Sequence, residues 1–299
     1  MEPLKMKFAV PVPRGFDFRR TLSSHGWCEL RPFEYIDDLT LVRVLDAGGD
    51  SPITIVVTGE GASLEVSTKA RLSKLQRARV ERDVRHMFRL DDEMEEFYAA
   101  VSAEPEFEWI ARDGAGRLLR SPTVYEDLVK SICTTNCTWA VTKKMVAALV
   151  SALGREARDG RRDFPTAEAM AAQPVEFYTE VVRAGYRAAY LKELADRVAR
   201  GEIEPETWFG SELSTAELKR EMKRVKGVGD YAAENLLKLV GRYDVLALDS
   251  WVRSTFARTR NGGRKCDDQK IARFYTRFKS WRGLALWCDL TRHWFEAKE

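Results

Sequence analysis

Apolar and polar positions follow two different rhythms along this chain, and the change between them falls near residue 66. Before it, apolar residues come in short runs rich in β-branched side chains. Residues 8–13 read as a short extended piece, and 39–45 and 53–58 as strands. Ala47-Gly48-Gly49-Asp50 between them is a hairpin signal, and Leu64-Glu65-Val66 adds a further strand. A helix over 16–22, ended near Gly26, completes a small antiparallel sheet with a helix against it. From Thr68 onward the spacing is helical. Leu72, Leu75, Arg79 and Val84 share one face, and Asp91 opens a helix carrying Met94, Phe97, Tyr98 and Val101. Ser121-Pro122 reads as an N-cap with proline at the first helical position. The last helix carries Trp281, Leu284, Leu286, Trp287, Leu290 and Trp294, more apolar than a surface helix needs. The pattern predicts an α+β protein: an N-terminal antiparallel β domain over 1–88, packed on a mostly helical core over 89–299.

One stretch breaks the helical rhythm in an informative way. Leu218, Met222 and Val225 keep it, Lys226-Gly227-Val228-Gly229 interrupts it, and a second helix starts near Asp230 with Ala233, Leu236, Leu237 and Val240 on one side. Gly241 follows where a helix ends. The span 217–241 is therefore a helix, a tight turn and a helix. Two glycines around one apolar residue let the backbone turn sharply and approach a ligand closely. The amides opening the second helix form an anion site. Charge strengthens that reading. Residues 217–265 hold twelve Lys or Arg against six Asp or Glu, a surplus of six, while the whole chain has 49 against 46. A basic focus beside exposed amides suits a phosphate backbone. Asp249 then closes the apolar run 245–248, as an N-cap, as an acid held in a cleft, or as both.

With these residues in view, VKGVGDYAAENLL (225–237) followed by LALDSWVR (246–253) resembles the helix-hairpin-helix and Gly/Pro-Asp signature of the DNA glycosylase superfamily (HhH-GPD). Lys226 stands where that family usually has proline, which removes some rigidity from the turn. The segment 120–146 is similar to the helix that opens the catalytic core of 8-oxoguanine and 3-methyladenine glycosylases, and AGYRAAY (184–190) to their GYRARY loop. The resemblance implies that Gly227, Val228, Gly229 and Tyr231 grip a DNA phosphate, with Arg253 nearby. It also implies that Asn136 and Arg187 reach the base left behind and that Tyr186 wedges into the opened stack. Asparagine and arginine offer donors to unpaired base edges, and tyrosine a face to stack. An enzyme of this kind must extrude its nucleotide into a pocket, for which Trp139, Tyr231, Asn235, Trp251, Trp281 and Trp287 are the expected walls. WRGLALW (281–287) is similar to the terminal helix of alkylbase glycosylases, whose aromatic faces attract cationic purines.

Asp249 is the expected catalytic residue. Cleaving the bond from deoxyribose to base develops positive charge on C1′, which a nearby carboxylate stabilises while it orients a water. Bifunctional members have a lysine where Tyr231 stands, so a monofunctional hydrolase is expected. The resemblance points to excision of a damaged, alkylated purine from double-stranded DNA by a 3-methyladenine glycosylase II-like enzyme. The alternatives are an oxidised-guanine glycosylase, favoured by Asn136 and Tyr186-Arg187, or a non-catalytic DNA-binding repair adaptor. Five scattered cysteines fit a reducing compartment, and the family's four-cysteine iron–sulfur loop has no counterpart here. No metal cofactor is expected; a monovalent cation on the hairpin carbonyls is the single ion the reading allows. No run reaches membrane-span length, and the first ten residues lack a signal-peptide core. A monomer in the cytoplasm with the nucleoid, or in a nucleus, and not secreted, is expected.

Overall fold

The computed structural model describes residues 6–296; the first five of the ten N-terminal residues read above and the last three of the span 89–299 lie outside the described residues. Five antiparallel strands form one sheet in the order β1-β5-β4-β3-β2. They are β1 (Met6–Pro11), β2 (Phe33–Asp37), β3 (Thr40–Leu45), β4 (Ile53–Glu60) and β5 (Ser63–Thr68). The turn at 47–50 joins β3 to β4 as expected, in a register that sets Val42 against Val56. Strand β2 escapes the sequence pattern because it is an edge: Phe33 is buried and Tyr35, Ile36 and Asp37 are exposed, so no alternation marks it.

The helices follow in order. They are α1 (Phe18–Leu22), α2 (Lys74–Met87), α3 (Glu95–Ser102), α4 (Glu108–Arg112), α5 (Val124–Thr134), α6 (Trp139–Leu153), α7 (Ala167–Ala171), α8 (Val175–Glu180) and α9 (Ala188–Ala199). The hairpin pair α10 (Thr215–Met222) and α11 (Asp230–Leu239) comes next, then α12 (Ser250–Arg260), α13 (Asp268–Tyr275), α14 (Arg282–Thr291) and α15 (His293–Glu296). Two caps differ from the sequence reading. Helix α5 is capped by Thr123, whose side chain accepts from Glu126 N, because the Ser121 N–H is taken by the Asp127 carboxylate at 3.0 Å. Helix α3 starts after Met94, while Asp91 is drawn to the Arg85 guanidinium.

One apolar core runs from the sheet into the helices, taking in Val10, Ile55 and Val66 as well as Phe97, Leu128 and Leu236. Charges bridge it too. Arg43 of β3 donates to both oxygens of Glu126 on α5 at 2.9 and 2.6 Å, and Lys130 reaches the same carboxylate at 2.6 Å. Both cations also lie over the Phe33 ring, Arg43 at 4.4 Å and Lys130 at 4.7 Å from its centroid. Deeper still, buried Arg89 donates to the carbonyls of Lys238 and Leu239 at 2.7 and 2.5 Å, anchoring the end of α11.

The hairpin forms much as its sequence implies. Helix α10 opens with a capping box between Ser214 and Glu217 and ends at Met222, one turn before Val225, which is nonetheless buried. Gly227 has a left-handed backbone (φ 88°), and a Cβ there would meet the Tyr190 ring at 2.8 Å. Gly229 is extended and borders open space. The segment leading to Asp249 is held from the other side. The Gly283 N–H donates to Tyr243 O at 2.7 Å, and a Cβ on Gly283 would lie 1.8 Å from Val245 O. Only glycine lets α14 approach that backbone.

Candidate active site

Asp249 is the N-cap of α12: its Oδ1 accepts from Val252 N at 2.7 Å, and the residue is half-buried at the edge of a deep cleft. The loop before it is constrained. Ala247 has φ 52°, a left-handed conformation that costs a non-glycine residue about 1 kcal/mol. Its N–H is held at 2.7 Å by Glu234 of α11, whose other oxygen takes Lys219 at 2.5 Å. Tyr231, on the first turn of α11, faces the Asp249 carboxylate. Loss of water and that negative charge together push its hydroxyl up to about 12, so it is a neutral donor at physiological pH. The cap takes Oδ1, and the same carboxylate borders the cleft with the Tyr231 hydroxyl facing it.

Trp251 and Trp287 line the cleft and form a cluster with Trp294, with ring centroids 5.7 to 5.8 Å apart. Trp287 Nε1 donates to Ser24 O at 2.9 Å, which ties the loop after α1 to the last long helix. Trp139 sits near the mouth and donates to Glu29 at 3.2 Å. Asn235 borders the cleft with its amide turned back to Tyr231 O at 2.9 Å. Trp281 does not belong to this wall. It stacks on Tyr243 (5.3 Å, 22°) and leans on Phe97 inside the core. Six residues of helix turn a side chain through about 240°, so Trp281 and Trp287 could not share a face even on an unbroken helix.

Sequence reasoning missed Trp27, Trp294, His25 and Lys238, all of which line the cleft. For Lys238 a signal existed: Tyr231, Asn235 and Lys238 stand at i, i+4 and i+7 of α11, which is one stripe. For His25 and Trp27 there was none, since a loop near the N-terminus meets the cleft only through the fold. Among the described residues, no group of three or more His, Cys, Asp or Glu side chains is placed to hold a metal ion.

Asn136 and Tyr186 also border the cleft; Asn136 is exposed with a left-handed backbone (φ 46°), and its Nδ2 donates to the Tyr186 hydroxyl at 3.2 Å. Tyr186 is 53% exposed and carries the Arg187 guanidinium 4.5 Å from its ring. Three expected DNA contacts are arranged differently. Arg187 is 5% exposed and donates to Thr135 Oγ1 at 3.1 Å, to Thr135 O and to Ala184 O. It clamps two turns together instead of facing outward. Val228 turns its side chain into the core and gives its N–H to Val225 O at 3.1 Å, which removes it from any phosphate grip. Arg253 is drawn into a two-point ion pair with Asp268 at 2.7 and 2.9 Å. The start of α11 has no side-chain cap, so its first amides keep their donors. The Asp230 carboxylate beside them is held by Lys219 and Lys223 at 3.0 and 2.9 Å.

Known proteins share this architecture. The family described as HhH-GPD superfamily base excision DNA repair protein matches residues 129–281, just over half of the chain. No curated protein matches the sequence. Among solved structures, the 3-methyladenine DNA-glycosylase of Archaeoglobus fulgidus superimposes with a TM-score of 0.76 at 20% identity, covering 96% of this chain and 99% of that one. The 8-oxoguanine glycosylase/lyase of Clostridium acetobutylicum gives 0.75 at 19%, covering 96% and 97%. MBOgg1, in complex with a low-affinity DNA ligand, gives 0.76 at 23%, with both chains covered in full. Likeness at these identities is a likeness of fold.

Proposed function

The chain belongs to the HhH-GPD superfamily of base excision DNA repair proteins, and on that premise we propose that it is a monofunctional DNA glycosylase. It binds duplex DNA through the α11 amides of Gly229, Asp230 and Tyr231, with Tyr186 and Asn136 entering the opened stack, and takes a flipped, damaged base into the cleft. Asp249 stabilises the charge developing at C1′ and orients a water. The water's hydroxyl joins C1′, and its other proton leaves with the base. The observation that carries the monofunctional reading is Tyr231, a neutral hydroxyl facing Asp249 where bifunctional relatives hold an amine.

Two substrate readings stand. Alkylated purine draws support from the faces of Trp251 and Trp287 in the cleft. It is opposed by the ammonium of Lys238 beside them, which repels a cationic base. The two enzymes of comparable fold, one acting on 3-methyladenine and one on 8-oxoguanine, have nearly equal TM-scores and favour neither. A damaged base that is neutral fits this cleft better.

Asp249→Asn should cut single-turnover excision at least about a hundredfold while duplex affinity stays equal or rises. Parallel loss of affinity would reduce Asp249 to a helix cap. Wild-type enzyme should leave abasic strands uncut until alkali is added, with no borohydride-trapped adduct. A trapped adduct would mean that Lys238, in the same cleft, reaches C1′ and that the enzyme is bifunctional.

A further inference from the structure

Lys238 is a largely buried ammonium that the proposed hydrolysis does not use. The residue is 3% exposed, it lines the cleft, and among the described residues its Nζ has neither a hydrogen-bond nor an ion-pair partner. Its nearest company is the Trp287 ring, 4.9 Å away. Asp249 and Glu234 are near enough to act on it through space, yet neither pairs with it. Arg89 fixes the backbone carbonyl of the same residue, so the side chain starts from a rigid point. An ammonium so largely withdrawn from water costs free energy that the Trp287 face and the two carboxylates offset only in part, and a ligand that accepts its hydrogen bond would complete the site.

A second unpartnered group lies in the same wall. His25 Nδ1 is 2.9 Å from Ser24 Oγ, and that oxygen already accepts from Leu119 N at 2.9 Å. Assigning the serine proton to Nδ1 gives that proton a partner, and in this tautomer Nε2 of the neutral ring is an N–H. Nε2 is buried and has no partner. Burial, with Arg89, Lys238 and Lys130 around it, drops the imidazole to about 3, so the ring stays uncharged. The Trp287–Ser24 hydrogen bond holds this segment against the wall that carries Lys238.

Resting on the glycosylase reading, we propose that Lys238 is the specificity-determining donor of the lesion pocket, with His25 in support. It binds a flipped base through a carbonyl oxygen or ring-nitrogen acceptor, and its charge excludes bases that are themselves cationic. The ligand class is a neutral base with an acceptor-bearing edge. A site built to donate rejects a base that leaves the donors unpaired, commonly by orders of magnitude. Two like charges in a water-poor cleft reject each other more strongly still.

The test uses four duplexes of one sequence, carrying hypoxanthine, uracil, 8-oxoguanine or 7-methylguanine, with single-turnover excision by the full chain. Wild type should release at least one of the neutral oxo-bases faster than the cationic 7-methylguanine. Lys238→Met should slow that neutral release at least about tenfold while 7-methylguanine release holds or rises, so that the ratio swings toward the cation. Lys238→Gln keeps a donor without the charge and should retain more neutral-base release than the methionine variant; it also serves if that variant fails to fold. Activity with a ratio unmoved by either substitution overturns the inference and leaves the glycosylase reading intact. So does a wild-type preference for 7-methylguanine. Wild type inert on all four duplexes, at enzyme excess, overturns both.

Discussion

At the scale of the residue, Lys238 should weaken the fold it belongs to. Burial pulls its ammonium down to about 8, with Glu234, Asp249 and Cys288 acting in the other direction. Because the folded value lies below the ordinary lysine range, the unfolded chain binds more protons between about pH 8 and about pH 10. Stability of the wild type therefore rises with pH across that window, and the full penalty is present below it. Lys238→Met should raise the melting temperature near neutral pH, by about 2–4 °C for each kcal/mol of penalty removed. The gain should shrink as both proteins are melted at increasing pH up to about 10. A gain that grows with pH, or a loss at neutral pH, would show that the ammonium is stabilised in the free enzyme by an unseen partner.

At the scale of the element, the two hairpin glycines have different duties although their sequence context is nearly symmetrical. Gly227 needs its left-handed backbone and its missing Cβ, because Tyr190 fills the space beside it. Gly227→Ala should cost about 1–3 kcal/mol of stability, read from denaturant melts. Gly229 is extended and borders open space, so an added side chain meets nothing in the protein. Gly229→Asp should melt like the wild type and bind damaged and undamaged duplex equally poorly, since it sets a carboxylate against the phosphate. Normal binding by this variant would move the DNA grip elsewhere. The basic surplus of the same region is smaller in space than along the chain. Lys226 pairs with Glu193, Arg253 with Asp268 and Arg260 with Asp289, all acids from outside the basic segment. Pairs as exposed as the first two contribute little to stability and can exchange for phosphate.

At the scale of the whole molecule, the sheet is joined to the helices by the Arg43–Glu126–Lys130 cluster and by a core that crosses between them. Glu126→Gln leaves two buried cations without their counter-charge. The expected loss is about 3–5 kcal/mol. Because the core is continuous, strand and helix signals should still disappear in one transition. An early loss of the sheet signal alone would mean that the two parts fold separately. The consequence for function is direct, because the loop carrying His25 and Trp27 belongs to the sheet side while Lys238 and Asp249 belong to the helices.

How far the chain could be read alone follows from the reach of its signals. The strand and helix rhythms, the helix-hairpin-helix and the capping aspartate all depend on residues within one or two turns of each other, whereas the meaning of Tyr231 came from the family resemblance. Spacing along the chain therefore determines them. The stripe Tyr231, Asn235, Lys238 was legible for the same reason, had it been followed one turn further. Which face meets which partner has no such signature. Periodicity shows that Trp281 is apolar and helical, but the fold sends it to Tyr243 and brings Trp27 and His25 to the cleft instead. Arginine side chains are long enough to reach either outward or inward, and the carbonyl of Thr135, supplied by a distant turn, draws Arg187 inward. Local chemistry along the chain determined the elements and the capping aspartate, whereas the walls of the cleft, assembled from both ends of the sequence, were decided only when the chain folded.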